Sequence, residues 1–255
     1  MKVTAFVGSA RKKHTYQATE RFLESIQKHG DVDYEIISLN DYNLKTCRGC
    51  KLCLDRGEEL CPLKDDRDIL MQKIRDSDGV VFATPNYSFQ VSGQMKVFLD
   101  RFGYVFHRPE YFGKTFTGIV AQGVYGGKNI VKYLDFVGNG MGFNVVSGFV
   151  INTREPVPAS EQVKTEKAIE KQSLLFYRKL IRHDYPSPSI LKLMLFRMSR
   201  TSLKTVLTEE FRDYRHFRDQ GWFDSGYYYP VRLNPVKRTL GWLFDLTARR
   251  MAAQN

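Results

Sequence analysis

The 255-residue chain lacks most of the features that would place it in a special class. No apolar run approaches the ~20 residues a membrane-spanning helix needs. The opening residues, Met1 to Ser9, are too short an apolar run for a secretory signal and lead straight into a glycine turn, as a first core strand does. The cytoplasm is therefore the expected compartment. There is no cysteine outside residues 47–61, which excludes a fold stapled by scattered disulfides. No zinc-finger or RNA-binding motif occurs, no block of like charges, and no internal repeat, so nucleic acid is not an expected partner. Two phosphate-binding signatures are missing as well. The chain has neither the GxGxxG of a dinucleotide-binding turn nor the GxxxxGK[ST] of a P-loop.

Hydrophobic residues make up 42% of the chain, enough for a packed core, and nothing suggests disorder. The net charge of +11 would suit anionic small molecules or an acidic redox partner. It is spread over both parts of the chain: 12 Lys and Arg face 7 Asp and Glu from His183 onward (+5), leaving 27 against 21 before it (+6).

The first two-thirds alternates short apolar runs with amphipathic stretches. Strands are expected at 3–7, 33–39, 79–84, 115–121 and 143–151. Helices are expected at 16–29, 65–77, 93–102, 128–138 and 158–181. The adjacent carboxylates of Asp65 and Asp66 suit the positive end of the second helix. Strict alternation argues for an α/β fold, a doubly wound five-stranded parallel sheet of flavodoxin-like type. Pro186 and Pro188 mark a boundary. Residues 1–182 read as one domain, and 183–255 as a helical, aromatic-rich extension with helices near 190–200, 209–220 and 235–251.

Ligands of such sheets bind outside the carboxyl ends of the strands. Three loops fall there. Gly8 to Tyr16 offers hydroxyls, backbone N–H groups and a helix N-terminus to a phosphomonoester, although an ordinary solvated basic turn fits by itself equally well. Thr84-Pro85-Asn86-Tyr87-Ser88, followed by Ser92-Gly93, concentrates amides and an aromatic ring that suit the edge and face of a flavin. Gln122-Gly123-Val124-Tyr125-Gly126-Gly127 permits close backbone approach.

Together these loops resemble a known pattern, that of the NAD(P)H-dependent FMN reductases and iron–sulfur flavoproteins. The matching residues are Gly8-Ser9, Arg11 and Thr15; Thr84-Pro85, Tyr87, Ser92-Gly93, Lys96, Phe98, Asp100 and Arg101; and Cys47, Cys50, Cys53, Cys61, Asp65 and Asp66. The resemblance covers roughly residues 1–182. It implies that Ser9, Arg11, Thr15 and Tyr16 hold the phosphate of a non-covalent FMN. It further implies that residues 85–88 and 122–127 contact the isoalloxazine, with NAD(P)H as electron donor. His14 either adds a donor to the phosphate or is simply exposed.

The cysteines run C-x2-C-x2-C-x7-C. Three thiolates at two-residue gaps can wrap one cubane and the fourth can close it, and the resemblance implies a 4Fe-4S cluster there. Three other readings stay open. They are a structural zinc, redox-active thiols favoured by Lys45, Arg48 and Lys51, and a structured loop carrying no metal.

The leading expectation is an FMN oxidoreductase passing electrons from NAD(P)H to a quinone, another small acceptor or a redox protein. The alternatives are an electron-transfer module fed by ferredoxin through the cysteines, and a non-enzymatic binding protein on the same scaffold. The rings at Trp222, Phe223, Tyr227, Tyr228, Tyr229 and Trp242 suit packing of the extension onto the α/β domain. A homo-oligomer contact, a lid over the flavin and an interfacial helix remain further options.

Overall fold

The structure is a computed structural model and describes residues 1–253. In chain order it contains β1 (Lys2–Val7), α1 (His14–Gln27), β2 (Asp33–Ser38), the four-residue α2 (Leu52–Asp55), α3 (Arg67–Arg75), β3 (Gly79–Pro85), α4 (Gly93–Arg101), β4 (Thr115–Gln122) and α5 (Gly127–Gly140). There follow β5 (Asn144–Val145), β6 (Phe149–Asn152), α6 (Ala159–Leu180), α7 (Ile190–Val206), α8 (Arg212–Asp219) and α9 (Pro235–Ala252). The chain divides into two compact units. One comprises residues 1–48 and 63–183, and the other joins residues 49–62 to the chain from Asp184 onward.

In the first unit every strand pair is parallel, in the order β2-β1-β3-β4 with β5 and β6 sharing the far side of β4. This is the flavodoxin-like order, and it reverses between β1 and β3. Alternation along β1 sends Val3, Ala5 and Val7 to a core shared with Phe22 and Ile26 of α1 and Phe176 and Leu180 of α6. Phe6 points to the other face, where it stacks on Phe98 at 5.1 Å. Phe98 meets Phe102 at 4.6 Å, and Phe82 meets Phe116 at 4.9 Å. Both faces of β3 are fully buried, as its continuous apolar run requires.

The strand expected at 143–151 is interrupted. The Asp135 carboxylate on α5 accepts hydrogen bonds from Ser147 Oγ at 2.7 Å and Gly148 N at 3.0 Å, and the ladder to β4 stops between Val145 and Phe149. A side-chain acceptor thus takes the place of a strand partner. The sheet keeps five positions, the last one filled by two short strands.

In the second unit α7 and α9 pack together, and the aromatic rings pack on one another. Phe196 meets Tyr228 at 4.5 Å, Trp222 meets Tyr228 at 4.8 Å, and Phe217 meets Trp222 at 4.9 Å. Trp222 Nε1 donates to the Tyr228 carbonyl at 2.9 Å. The extension therefore has a small core of its own, built from the rings the sequence concentrates there. The segment 49–62 belongs to this unit through α8. Arg212 pairs with Glu58, and Arg215 donates to the Arg56 carbonyl at 2.7 Å and to the Glu209 and Glu210 carbonyls at 2.8 Å each.

Candidate functional site

The carboxyl ends of β1, β3, β4 and β6 open onto one cavity of about 340 Å³ in the first unit. Its construction starts at Gly8, whose N–H continues the ladder to the Ala83 carbonyl at 2.8 Å. A Cβ at this position would lie 2.8 Å from Met95 Cβ and from Ser92 Oγ, so only glycine lets the turn pass this close to α4. Ser92 fastens it. Its hydroxyl donates to the Gly8 carbonyl at 2.5 Å and accepts from Met95 N as the N-cap of α4. Thr84 completes the support, accepting from Ser92 N at 2.9 Å.

The loop beyond Gly8 is folded by Ser9 Oγ on the Arg11 carbonyl at 3.0 Å and by Asn40 Nδ2 on the Ser9 carbonyl at 3.2 Å. Helix α1 then begins without a side-chain cap and without a carboxylate in its first turn. No carboxylate of α1 itself occupies that turn, which leaves its N–H groups to an anion from outside the helix. Ser9, Arg11, Lys13, His14 and Thr15 line the cavity on this side.

The opposite wall is Pro85, Asn86 and Tyr87 from the end of β3. Asn86 N extends the sheet ladder to the Ala121 carbonyl at 2.7 Å, and its Nδ2 donates to the Tyr125 carbonyl at 2.8 Å. Its Oδ1 is buried without a hydrogen-bond partner. Tyr87 and Gln90 exchange two backbone bonds of 3.0 Å around Ser88 and Phe89, which have φ of +50° and +63°. That is a turn of type I′ made from residues that ordinarily avoid it. It presents Phe89 against Tyr125, ring centroids 5.1 Å apart, with both rings exposed.

The structure separates the sequence candidates by role. Ser9, Arg11, His14, Thr15, Pro85, Asn86, Tyr87 and Gly123 line the cavity. Tyr16 packs against the core behind α1, and Thr84 is a buried support. Gln122 shapes the glycine turn, accepting from Gly127 N at 2.7 Å and donating to Asn152 at 2.8 Å. Ser88, Tyr125 and Gly126 build the rim. Thr153 and Glu155, beyond β6, line the cavity without having been expected there. Their signal was topological: the last strand also ends at this edge, so its loop is a fourth wall. Thr153 N reaches the Gln122 carbonyl at 2.8 Å. Glu155 meets His14 Nε2 at 2.8 Å across the cavity. That hydrogen bond, followed by the charges of His14, Lys13 and Arg11, holds the Glu155 carboxyl below the usual carboxylate range.

Cys47 and Cys50 are exposed and Cys53 and Cys61 half-buried. Among the described residues no three His, Cys, Asp or Glu side chains converge on one point as a metal centre requires.

Residues 1–155 match the family of NADPH-dependent FMN reductases. The chain belongs to that family. Members of this family are FMN-containing oxidoreductases, and so is this chain; an uncapped helix start beside Arg11 and Lys13 could hold a phosphate group. An iron–sulfur flavoprotein of Archaeoglobus fulgidus is 32% identical to the chain over 163 residues, 59% of the chain and 72% of that protein. An iron–sulfur flavoprotein of Clostridioides difficile is 27% identical over 237 residues, 89% of the chain and 99% of that protein. The chain spans about half the length of other relatives of the same description. The crystal structure of RosB with bound 8-demethyl-8-formylriboflavin-5'-phosphate shares the fold, with a TM-score of 0.58 over 92% of each chain at 12% identity. No described helix is long and apolar enough to cross a membrane.

Proposed function

We propose that the chain holds FMN in the 340 Å³ cavity, takes hydride from NAD(P)H and passes electrons to a planar small acceptor such as a quinone. The observation that carries the reading is the cavity itself, which joins a cationic, uncapped helix start to amide and aromatic walls at the topological switch of the sheet. Ser9, Arg11, His14 and Thr15 receive the phosphate. Pro85, Asn86, Tyr87 and the turn at 122–127 face the ring system. When bound, FMN supplies the hydride and electron chemistry, and no side chain has to act as nucleophile or base. Tyr87, Phe89 and Tyr125 leave exposed aromatic surface at the rim, which suits stacking of a flat acceptor. The same rings suit burial by a second copy, and a cytoplasmic homo-oligomer is part of the reading.

A second reading, an electron-transfer protein fed by ferredoxin at Cys47, Cys50, Cys53 and Cys61, is favoured by the iron–sulfur flavoprotein of C. difficile, which matches most of the chain including the helical extension. It places the electron entry at the four cysteines of residues 47–61. Anaerobic purification followed by a visible spectrum and iron and sulfide analysis tests both. Flavin bands bleached by NADPH support the first reading. Stoichiometric iron and sulfide would move the assignment to the second, and a colourless protein that refuses FMN would overturn both.

A further inference from the structure

The second unit contains a cavity of about 370 Å³ at the N-terminal end of α9, unrelated to the flavin reading. Arg197 of α7 and Lys237 and Arg238 of α9 line it, and no carboxylate does. Gly241 forms its floor. A Cβ there would stand 3.3 Å from Arg197 Nε, so glycine gives the guanidinium room beside α9, with Nε donating to the Gly241 carbonyl at 3.3 Å. Val231 and Leu233, from the loop before α9, supply an apolar flank.

The charges around this cavity are not balanced. Asp245 is shared by two guanidiniums, Arg197 and Arg200, and also accepts from Thr201 Oγ1 at 2.7 Å. Burial, and next the neighbouring Arg197 charge, pull Arg200 below the ordinary arginine value in spite of that carboxylate. Lys237 Nζ is held by a neutral partner, Ser187 Oγ, at 2.9 Å. Among the described residues no carboxylate pairs with Lys237 or Arg238. A concavity lined by three cationic side chains and no carboxylate, with apolar walls beside them, concentrates positive field and suits an anion.

We propose that this cavity is a binding site for a phosphorylated small molecule carrying more than one negative charge. Its anionic end meets Arg197, Lys237 and Arg238, and its apolar part lies along Val231 and Leu233. The volume exceeds what a bare phosphate fills and suits a compact ligand of the usual pocket class. Arginine supplies a planar fork for phosphate oxygens, and lysine a point charge.

The test is isothermal titration of the full, FMN-saturated chain with inorganic pyrophosphate at low salt. Saturable binding is expected, weakened at least tenfold in Lys237→Gln/Arg238→Gln and reduced by added salt. Arg11→Gln, at the flavin cavity, should leave it unchanged. Thermal midpoints of the variants confirm that the unit is folded. Absence of saturable binding, or equal binding by Lys237→Gln/Arg238→Gln, would overturn the proposal. So would retention of the chain on anionic phospholipid vesicles without any pyrophosphate binding, since the cations would then serve a lipid surface.

Discussion

Asp65 and Arg101 form a buried, forked ion pair, with Nη1 to Oδ2 at 2.7 Å, Nη2 to Oδ1 at 3.0 Å, and side chains only 1% and 2% exposed. The pair does more than join α4 to the start of α3. Arg101 also donates to the Lys45 carbonyl at 3.0 Å, and Asp65 accepts from Lys45 N at 2.9 Å. Both backbone groups of Lys45, two residues before Cys47, are therefore fixed by one ion pair.

Removing one partner leaves a buried charge without compensation. Arg101→Ala or Asp65→Ala should destabilise the chain by about 3–5 kcal/mol in urea unfolding. Arg101→Lys should recover only part of that, because an ammonium cannot reproduce the fork. A loss within 1 kcal/mol would show that water replaces the pair.

The phosphate end of the cavity predicts a selectivity change. Arg11→Ala should weaken FMN by about 1.5–3 kcal/mol, the usual worth of a hydrogen bond to a charged group. Riboflavin, which has no phosphate, should be almost unaffected. Flavin fluorescence titrations with the two ligands read the difference, and equal losses for both would remove Arg11 from the phosphate site.

Positive φ at Ser88 and Phe89 places two side chains in a region that costs roughly 1–2 kcal/mol per residue. Ser88→Gly should raise the thermal midpoint, with a net gain of up to about 1 kcal/mol once the freer unfolded chain is counted. A lower midpoint would mean the Ser88 side chain stabilises the turn in some other way.

Arg215 holds three carbonyls, one of them Arg56 in the cysteine segment. Arg215→Ala should loosen that segment and speed modification of Cys53 and Cys61 by thiol reagents about tenfold, the effect of 1.4 kcal/mol in local opening. Flavin content should not change. An unchanged rate would show that α8 does not restrain the thiols.

Burial pushes Tyr229 up to about 12 and raises Tyr227 and Tyr228 as well. A tyrosine raised in the folded state keeps its proton there after the unfolded chain has lost it. The stability this contributes is complete below the ordinary value near ~10 and is lost as pH rises through it towards about 12. Tyrosinate absorbance read beside Trp222 fluorescence should show late ionisation coinciding with loss of the ring cluster. Early ionisation with Trp222 unchanged would contradict it.

The sequence by itself determined the elements and the sheet edge at which the candidate loops gather. Apolar runs of strand length alternating with amphipathic stretches leave a doubly wound parallel sheet as the packing that buries them, and the loops rich in glycine, amide and hydroxyl groups follow from the same pattern. Helix boundaries moved by only a few residues, because they depend on local caps such as Ser92. What the sequence could not show depends on side chains that meet across long separations. Asp135 interrupts the last strand by capturing Ser147 and Gly148, which no strand periodicity records. Thr153 and Glu155 join the cavity because β6 ends beside β4. Asp65 and Asp66, suited by position to a helix start, are spent largely on Arg101, Lys45 and Asn43. The segment 49–62 falls into one unit with the C-terminal helices because Arg212 and Arg215 reach it from more than 150 positions away. Local propensity and periodicity are properties of neighbours along the chain. Which carboxylate meets which guanidinium is decided only when the chain is packed.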